Sequence, residues 1–185
     1  ADGLAMASAQ LPIPSDDAIQ KSCLEFISGR MRSSLIEQGY RYDVVDAVLA
    51  AQQKNPAGVM RAVRELSGWV TRPDWSSILP AYSRCVRITR DQTTLFPILP
   101  EAFKEEAERE LFAAMTKLEK TPRRSGSVDD LFNAFLPVIP VINAFFDRVL
   151  VMDENAVNRA NRLGMLQHIS SLTTGVADLS KLEGF

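Results

Sequence analysis

The chain has 185 residues, 46% of them hydrophobic and 24% charged, the balance of an ordinary soluble globular protein with enough apolar material for a real core. Net charge is −2 with a pI near 5.5, which speaks against a generic nucleic-acid binder, because neutralising phosphates usually requires a net positive footprint. Cys23 and Cys85 are too few for a disulfide framework and too far apart for metal chemistry, so both are expected as small buried residues in a reducing compartment.

No apolar stretch approaches the length of a bilayer span, and Pro137 and Pro140 interrupt the longest candidate, so no membrane partner is expected. The first ten residues lack the positive start and apolar core of a signal peptide. The chain opens on Ala1 rather than Met, which points to a piece of something larger. Residues 1–14 are expected as a flexible segment ahead of one helical domain over 15–185.

Nearly every later segment reads as helix. Ser15, Asp16 and Asp17 form an acidic start for a helix to about residue 38, with Ile19, Cys23, Phe26, Ile27, Met31 and Leu35 at helical spacing and Gly39 closing it. A second helix carries Val44, Val45, Val48 and Leu49. Asn55 and Pro56 open a third, through Val59, Val63 and Leu66, with a break predicted over 68–74. A fourth helix spans about 74–90, disturbed at Pro80. Residues 91–100 form a loop whose Leu95, Phe96, Ile98 and Leu99 are expected to tuck onto the core. A long charged helix follows over 101–120, then a basic turn over 121–126.

Ser127 to Asp130 resembles a capping box and starts a helix that Pro137 and Pro140 must kink or divide. Asp153 is expected to cap the last helix, which runs through Leu163, Leu166, Ile169 and Leu172 to near Gly175. No segment alternates as a strand does, and no repeat is present. The expected fold is all-α, a single bundle of about six to eight helices.

Catalytic chemistry finds little foothold. His168 is the only histidine, so a metal centre built on several imidazoles is excluded, and a partly exposed structural role is expected for it. No nucleophile sits in a strained turn, and no glycine spacing fits a phosphate loop. Glu101, Glu105, Glu106, Glu108 and Glu110, interleaved with Lys104 and Arg109, read as a solvated helix face. No catalytic residue and no metal ligand is assigned.

Arginines remain. They far outnumber lysines, a bias that suits planar recognition of phosphates and base edges but also arises in GC-rich genomes. Arg84, Arg87 and Arg90 lie three apart and form a drifting stripe on one helix. Arg30 and Arg32 flank Met31, with Tyr40 and Arg41 at the following turn, and Arg148, Arg159 and Arg162 border the last two helices. Single-stranded RNA is held by stacking on aromatic and guanidinium planes, and Tyr40, Tyr42, Tyr82, Trp69 and Trp75 could serve as platforms, although each alone is better explained as a core or boundary residue.

The run from Phe145-Phe146-Asp147-Arg148 to Met152, followed by Asn161-Arg162-Leu163 and Val176-Ala177-Asp178-Leu179-Ser180, resembles the C-terminal end of the β subunit of bacterial-type glycyl-tRNA synthetase. That family ends in a helical anticodon-binding module of the DALR type. The stretches from Phe26 to Arg32, Glu37 to Tyr40, Tyr42 to Ala50 and Arg84 to Ile88 continue the resemblance in the family's order. Arg87 departs from it, standing where the family usually has asparagine. Asn158 and Thr173 replace apolar residues, which weakens the apolar face of the last helix, and Leu150 replaces a methionine.

The resemblance implies recognition of the tRNA-Gly anticodon stem and loop, not bond making, with DNA not expected as a partner. It implies as further partners the remainder of the β subunit and a separate catalytic α subunit, with ATP and Mg used there and no cofactor in this domain. The compartment implied is cytoplasm, or an organelle interior. The residues assigned to RNA are Arg30, Arg32, Tyr40, Arg41, Arg84, Arg87, Arg148, Arg159 and Arg162, while Arg148 and Arg162 could equally pair with Asp147, Asp153 or helix ends. The alternative is a helical protein-interaction module without RNA contact.

Overall fold

The computed structural model describes residues 2–10 and 16–185, without the side chains of Asp2 and Ala5. Among them the ordered elements are helices, and no strand is present. In chain order they are α1 (Asp2–Ser8), α2 (Asp17–Glu37), α3 (Tyr42–Gln52), α4 (Pro56–Val70), α5 (Trp75–Thr89), α6 (Glu106–Lys120), α7 (Val128–Phe135), α8 (Ile139–Arg148) and α9 (Ala156–Ser171). Short 3-10 turns lie at Pro100–Ala102, Leu136–Val138 and Leu179–Lys181. The all-α expectation holds.

Helix ends follow local chemistry. The Asp16 carboxylate accepts from the Ile19 amide at 2.8 Å and opens α2, whereas Ser15 lies outside the described residues. Gly39, at φ 91°, ends the α2 turn in the left-handed region. The Asn55 side chain accepts from the Gly58 amide ahead of Pro56. The division expected at Pro137 and Pro140 is present as the 3-10 turn between α7 and α8. By length and mean hydropathy, 1.3, the span Val128–Arg148 passes as a membrane candidate. Its Leu131, Phe132, Phe135, Val138, Ile142 and Phe145 are instead buried in the core.

Several boundaries differ from the sequence reading. Gly68 lies inside α4 rather than in a break, because Val63, Leu66 and Trp69 keep that helix pinned to the core through its last turn. Residues 101–105 are not part of α6: the chain leaves the Pro100 turn extended at Phe103, and Glu105 with Glu108 forms the capping box that starts the helix. Asn155, not Asp153, caps α9, accepting from the amides of Val157 and Asn158. Cys23 is exposed, while Cys85 is buried and its thiol is pushed up to about 12 by that burial, so it carries no thiolate near neutrality.

The loop over 91–100 is held by amides more than by apolar burial. Phe96 and Ile98 pack on the core, but Leu95 is 83% exposed and Leu99 39%. The Asn161 side chain accepts from the Leu99 amide at 2.8 Å and donates to the Leu99 carbonyl at 2.9 Å. The Gln167 amide pairs likewise with Phe96 N and Thr94 O. This zipper brings backbone directly onto α9 at Gly164, where an added Cβ would lie 2.8 Å from the Phe96 carbonyl oxygen.

Most buried polar side chains are satisfied; Arg61 Nε and Ser67 Oγ are buried without a hydrogen-bond partner. Thr173, which departs from the family pattern, is buried with its hydroxyl 2.9 Å from the Tyr82 hydroxyl, and Tyr82 also donates to the Ser170 carbonyl. The apolar face of α9 is therefore closed by a hydrogen bond at that end rather than weakened.

Gly164→Ala tests the loop contact. Helix propensity alone favours alanine by about 1 kcal/mol, but overpacking against backbone costs about 1–3 kcal/mol. A lower urea midpoint is expected; a higher one would show that the loop does not rest on α9.

Candidate nucleic-acid interface

The face α5 turns outward is set by its period. Ile78, Leu79, Ala81, Tyr82, Cys85 and Thr89 are buried, which leaves Ser77, Pro80, Arg84 and Arg87 along the exposed side. Pro80 sits on that side, so the carbonyl it deprives of a partner faces water. The Arg84 guanidinium lies 4.2 Å over the Phe146 ring of α8, and that of Arg87 lies 5.8 Å from the Phe185 ring. Neither makes an ion pair among the described residues. Arg90 extends the stripe and is equally exposed. Each stacked guanidinium keeps its N–H edges for an external acceptor and offers a flat cationic surface to a base.

The other assigned residues separate into exposed and engaged groups. Arg30 is exposed on α2 with no ion pair among the described residues. Arg148, two residues beyond Phe146, is exposed and 3.9 Å from Glu110, a separation that leaves it available to a ligand. Arg32 is forked onto Asp46 at 2.6 and 2.9 Å. Arg41 is forked onto buried Asp43 at 3.0 and 2.6 Å and reaches Glu183 at 3.3 Å. Burial alone would raise the Asp43 carboxyl; Arg41 and the amides of Glu183 and Val44 outweigh it and hold the pKa below the ordinary aspartate value. Arg159 donates to the Asp153 carbonyl at 2.6 Å, and Tyr40 is half-buried against the core.

Arg162 is the clear exception to the surface reading. Its side chain is 4% exposed and donates to Glu108 at 2.7 Å, to Asp153 at 2.5 Å and to the Leu150 carbonyl at 2.9 Å. It is a structural group, not a surface contact. The same observation corrects Glu108, read from sequence as part of a solvated face: its side chain is 1% exposed and also accepts from the amides of Lys104 and Glu105. Spacing of charges along a helix does not reveal which one a distant helix will cover.

The aromatics divide in the same way. Trp69 and Tyr82 are buried, and Trp75 packs edge-on against Phe132. Tyr42 is 53% exposed but its hydroxyl donates to Glu183 at 2.7 Å. The sequence reading did not assign Phe146 or Phe185, although both back the α5 arginines; no local pattern marks a ring that serves a side chain on another element. His168 is partly exposed and paired with Glu119, in keeping with the structural role expected of it. No group of histidine, cysteine, aspartate or glutamate able to hold a metal exists among the described residues.

The DALR anticodon binding domain family matches residues 78–179, more than half of the chain. The chain belongs to that family. The glycine–tRNA ligase beta subunit of Moorella thermoacetica is 34% identical over 98% of this chain and 26% of its own length. The beta subunits of Lactobacillus gasseri, 28% identical over 92% of this chain, and Myxococcus xanthus, 33% identical over 91%, are also similar. The chain spans about a quarter of the length of these relatives.

Within the DALR region, the motif Asn161-Arg162-Leu163 has a structural explanation. Asn161 clamps the Leu99 backbone, Arg162 holds the buried ion network, and Leu163 is core. In Ala177-Asp178-Leu179, the two apolar residues are buried, the Asp178 amide donates to Ala47 O at 2.8 Å, and its carboxylate caps Ser180.

Two outcomes follow for the buried ion pairs. Arg162→Met strands the buried Glu108 carboxylate and is expected to destabilise by roughly 3–5 kcal/mol, seen as a lower urea midpoint; an unchanged midpoint would remove Arg162 from the framework. The Glu108 and Asp43 pKa values are lowered in the fold, so their stabilisation is complete above the unfolded carboxylate range, about 4. It is lost as pH falls through the lower folded values. The melting temperature should therefore be nearly level from neutrality to about pH 5 and then drop, and a level profile down to pH 3 would contradict the assignment.

Proposed function

We propose that this DALR domain recognises the anticodon stem and loop of tRNA-Gly as part of a glycine–tRNA ligase beta subunit. The observation that carries the reading is the aromatic-backed pair Arg84 and Arg87 on the open face of α5, without an ion-pair partner among the described residues. Bases exposed in a loop stack on such planes, while phosphates beside them accept from the guanidinium edges. Arg148, beside Phe146, and Arg30, on α2, are the other assigned cations left available.

The acidic net charge does not oppose this reading, because many arginines are already matched by carboxylates and only local surplus faces solvent. In this reading the chain makes no bond itself. Glycine activation with ATP and Mg belongs to a separate catalytic alpha subunit, with the rest of the beta subunit as the covalent partner. The compartment is the one in which tRNA is charged, cytoplasm or an organelle interior.

A second reading has its own support. Among the described residues α2 buries only Leu35, and Ile19 and Phe26 on its first turns are 49% and 71% exposed. A protein-interaction module would present such a stripe.

Fluorescence titration with tRNA-Gly and an unrelated tRNA separates the two. Preferential binding of tRNA-Gly is expected, with Arg84→Ala and Arg87→Ala each weakening it by about 1 kcal/mol or more, roughly fivefold, at unchanged helix content. Absence of binding would favour the interaction module, whereas binding that both substitutions leave intact would remove the site from α5.

A further inference from the structure

We propose a second RNA contact on this domain: the α6–α7 turn over residues 120–127, facing the turn over 173–176, takes the sugar-phosphate strand through Lys120 and Arg123. The inference rests on the RNA reading above but concerns a different surface, outside the residues assigned from sequence.

The two turns border an open cleft of about 450 Å³, with Lys120, Arg123, Arg124 and Ser125 on one side and Thr174 and Gly175 on the other. The neighbouring acids are occupied. Asp130 is forked by Arg124 at 2.8 Å, and Arg124 holds its carboxyl far below the usual range. Glu119 lines the cleft and meets His168, a contact that is ionic only when the imidazole is protonated. Glu65 accepts from Ser127 Oγ and from the amides of Val128 and Asp129, closing the start of α7. Lys120 and Arg123 have no ion-pair partner among the described residues, so the cleft carries a local positive surplus.

The rims are also fixed more firmly than a helix connection needs. The buried Gln52 amide donates to Gly126 O at 2.9 Å and to Val176 O at 2.8 Å, one group tying both rims together. Arg61 donates to Ser125 O at 2.8 Å. Gly126 adopts φ 67°, and a Cβ there would lie 2.4 Å from Gln52 Oε1, so the turn accepts only glycine in this arrangement. A connecting turn is normally the mobile part of a helical fold; one held by side chains from α3 and α4 keeps its outward groups at fixed separation, as a binding loop requires.

The chemistry of the lining selects the ligand class. Ammonium, guanidinium and hydroxyl groups outnumber the single Glu119 carboxylate, the remaining side chains are aliphatic, and no aromatic ring lines the cleft. It can hold phosphates but has no platform on which to stack a base. The 173–175 turn also borders a hollow that includes Tyr82 and Val86 of α5.

The double variant Lys120→Ala with Arg123→Ala tests this. Its affinity for tRNA-Gly should fall, and the slope of log affinity against log salt should flatten by about 0.7–0.9 per lost phosphate contact. Affinity for an unrelated tRNA should fall by the same factor, because phosphate contacts carry no sequence. Helix content should not change, since the substituted groups make no internal pair. If the double variant binds as the parent does while Arg84→Ala weakens binding, the turn is not a contact and the anticodon reading stands. If it loses preference for tRNA-Gly without flattening the salt slope, the turn reads bases and the phosphate assignment fails. If the parent chain binds no tRNA, both proposals fall together.

Discussion

One buried cation holds the C-terminal half of this domain together. Arg162 of α9 reaches Glu108 of α6, Asp153 and the Leu150 carbonyl, and so ties two helices to the connection that leaves α8. Charges taken out of water in this way are tolerated only when each is matched and its remaining hydrogen-bond capacity filled. Glu108 meets that condition by also accepting two backbone amides at the start of α6. The network fixes the end of α8, and with it Phe146, the ring on which Arg84 rests. A buried ion network thus helps to position an exposed guanidinium.

The arginines show how an acidic chain can present a basic surface. Arg32, Arg41, Arg72 and Arg124 are forked onto aspartates, and Arg162 onto two carboxylates. Their charge is cancelled close at hand and contributes to shape rather than to attraction. Arg84 and Arg87 of α5 and Arg90 just beyond it have no ion-pair partner among the described residues, so their charge is left to face solvent. Net charge averages over both groups and hides the distinction.

Much of the helix plan could be read from local patterns. Asp16 and Asn55 are caps in the structure as in the sequence, Gly39 takes the left-handed turn, and the proline pair divides α7 from α8. Errors arose wherever a distant group overrode the local signal. Gly68 stays helical because Trp69 is anchored; Glu108 is buried because Arg162 arrives from α9; Leu95 is left outside because Asn161 and Gln167 hold its neighbours by their backbone. The α5 stripe was visible at its three-residue spacing, whereas its backing rings Phe146 and Phe185 were not, since they come from other parts of the chain.

By itself the order of residues determined helix type, most caps and family membership, because turns, periods and motifs are matters of neighbours within a few positions. Which arginines are spent inside and which remain exposed was decided only by tertiary packing. A guanidinium is committed by whatever carboxylate the fold carries to it, and Glu108 and Arg162 lie too far apart in the chain for any local rule to join them.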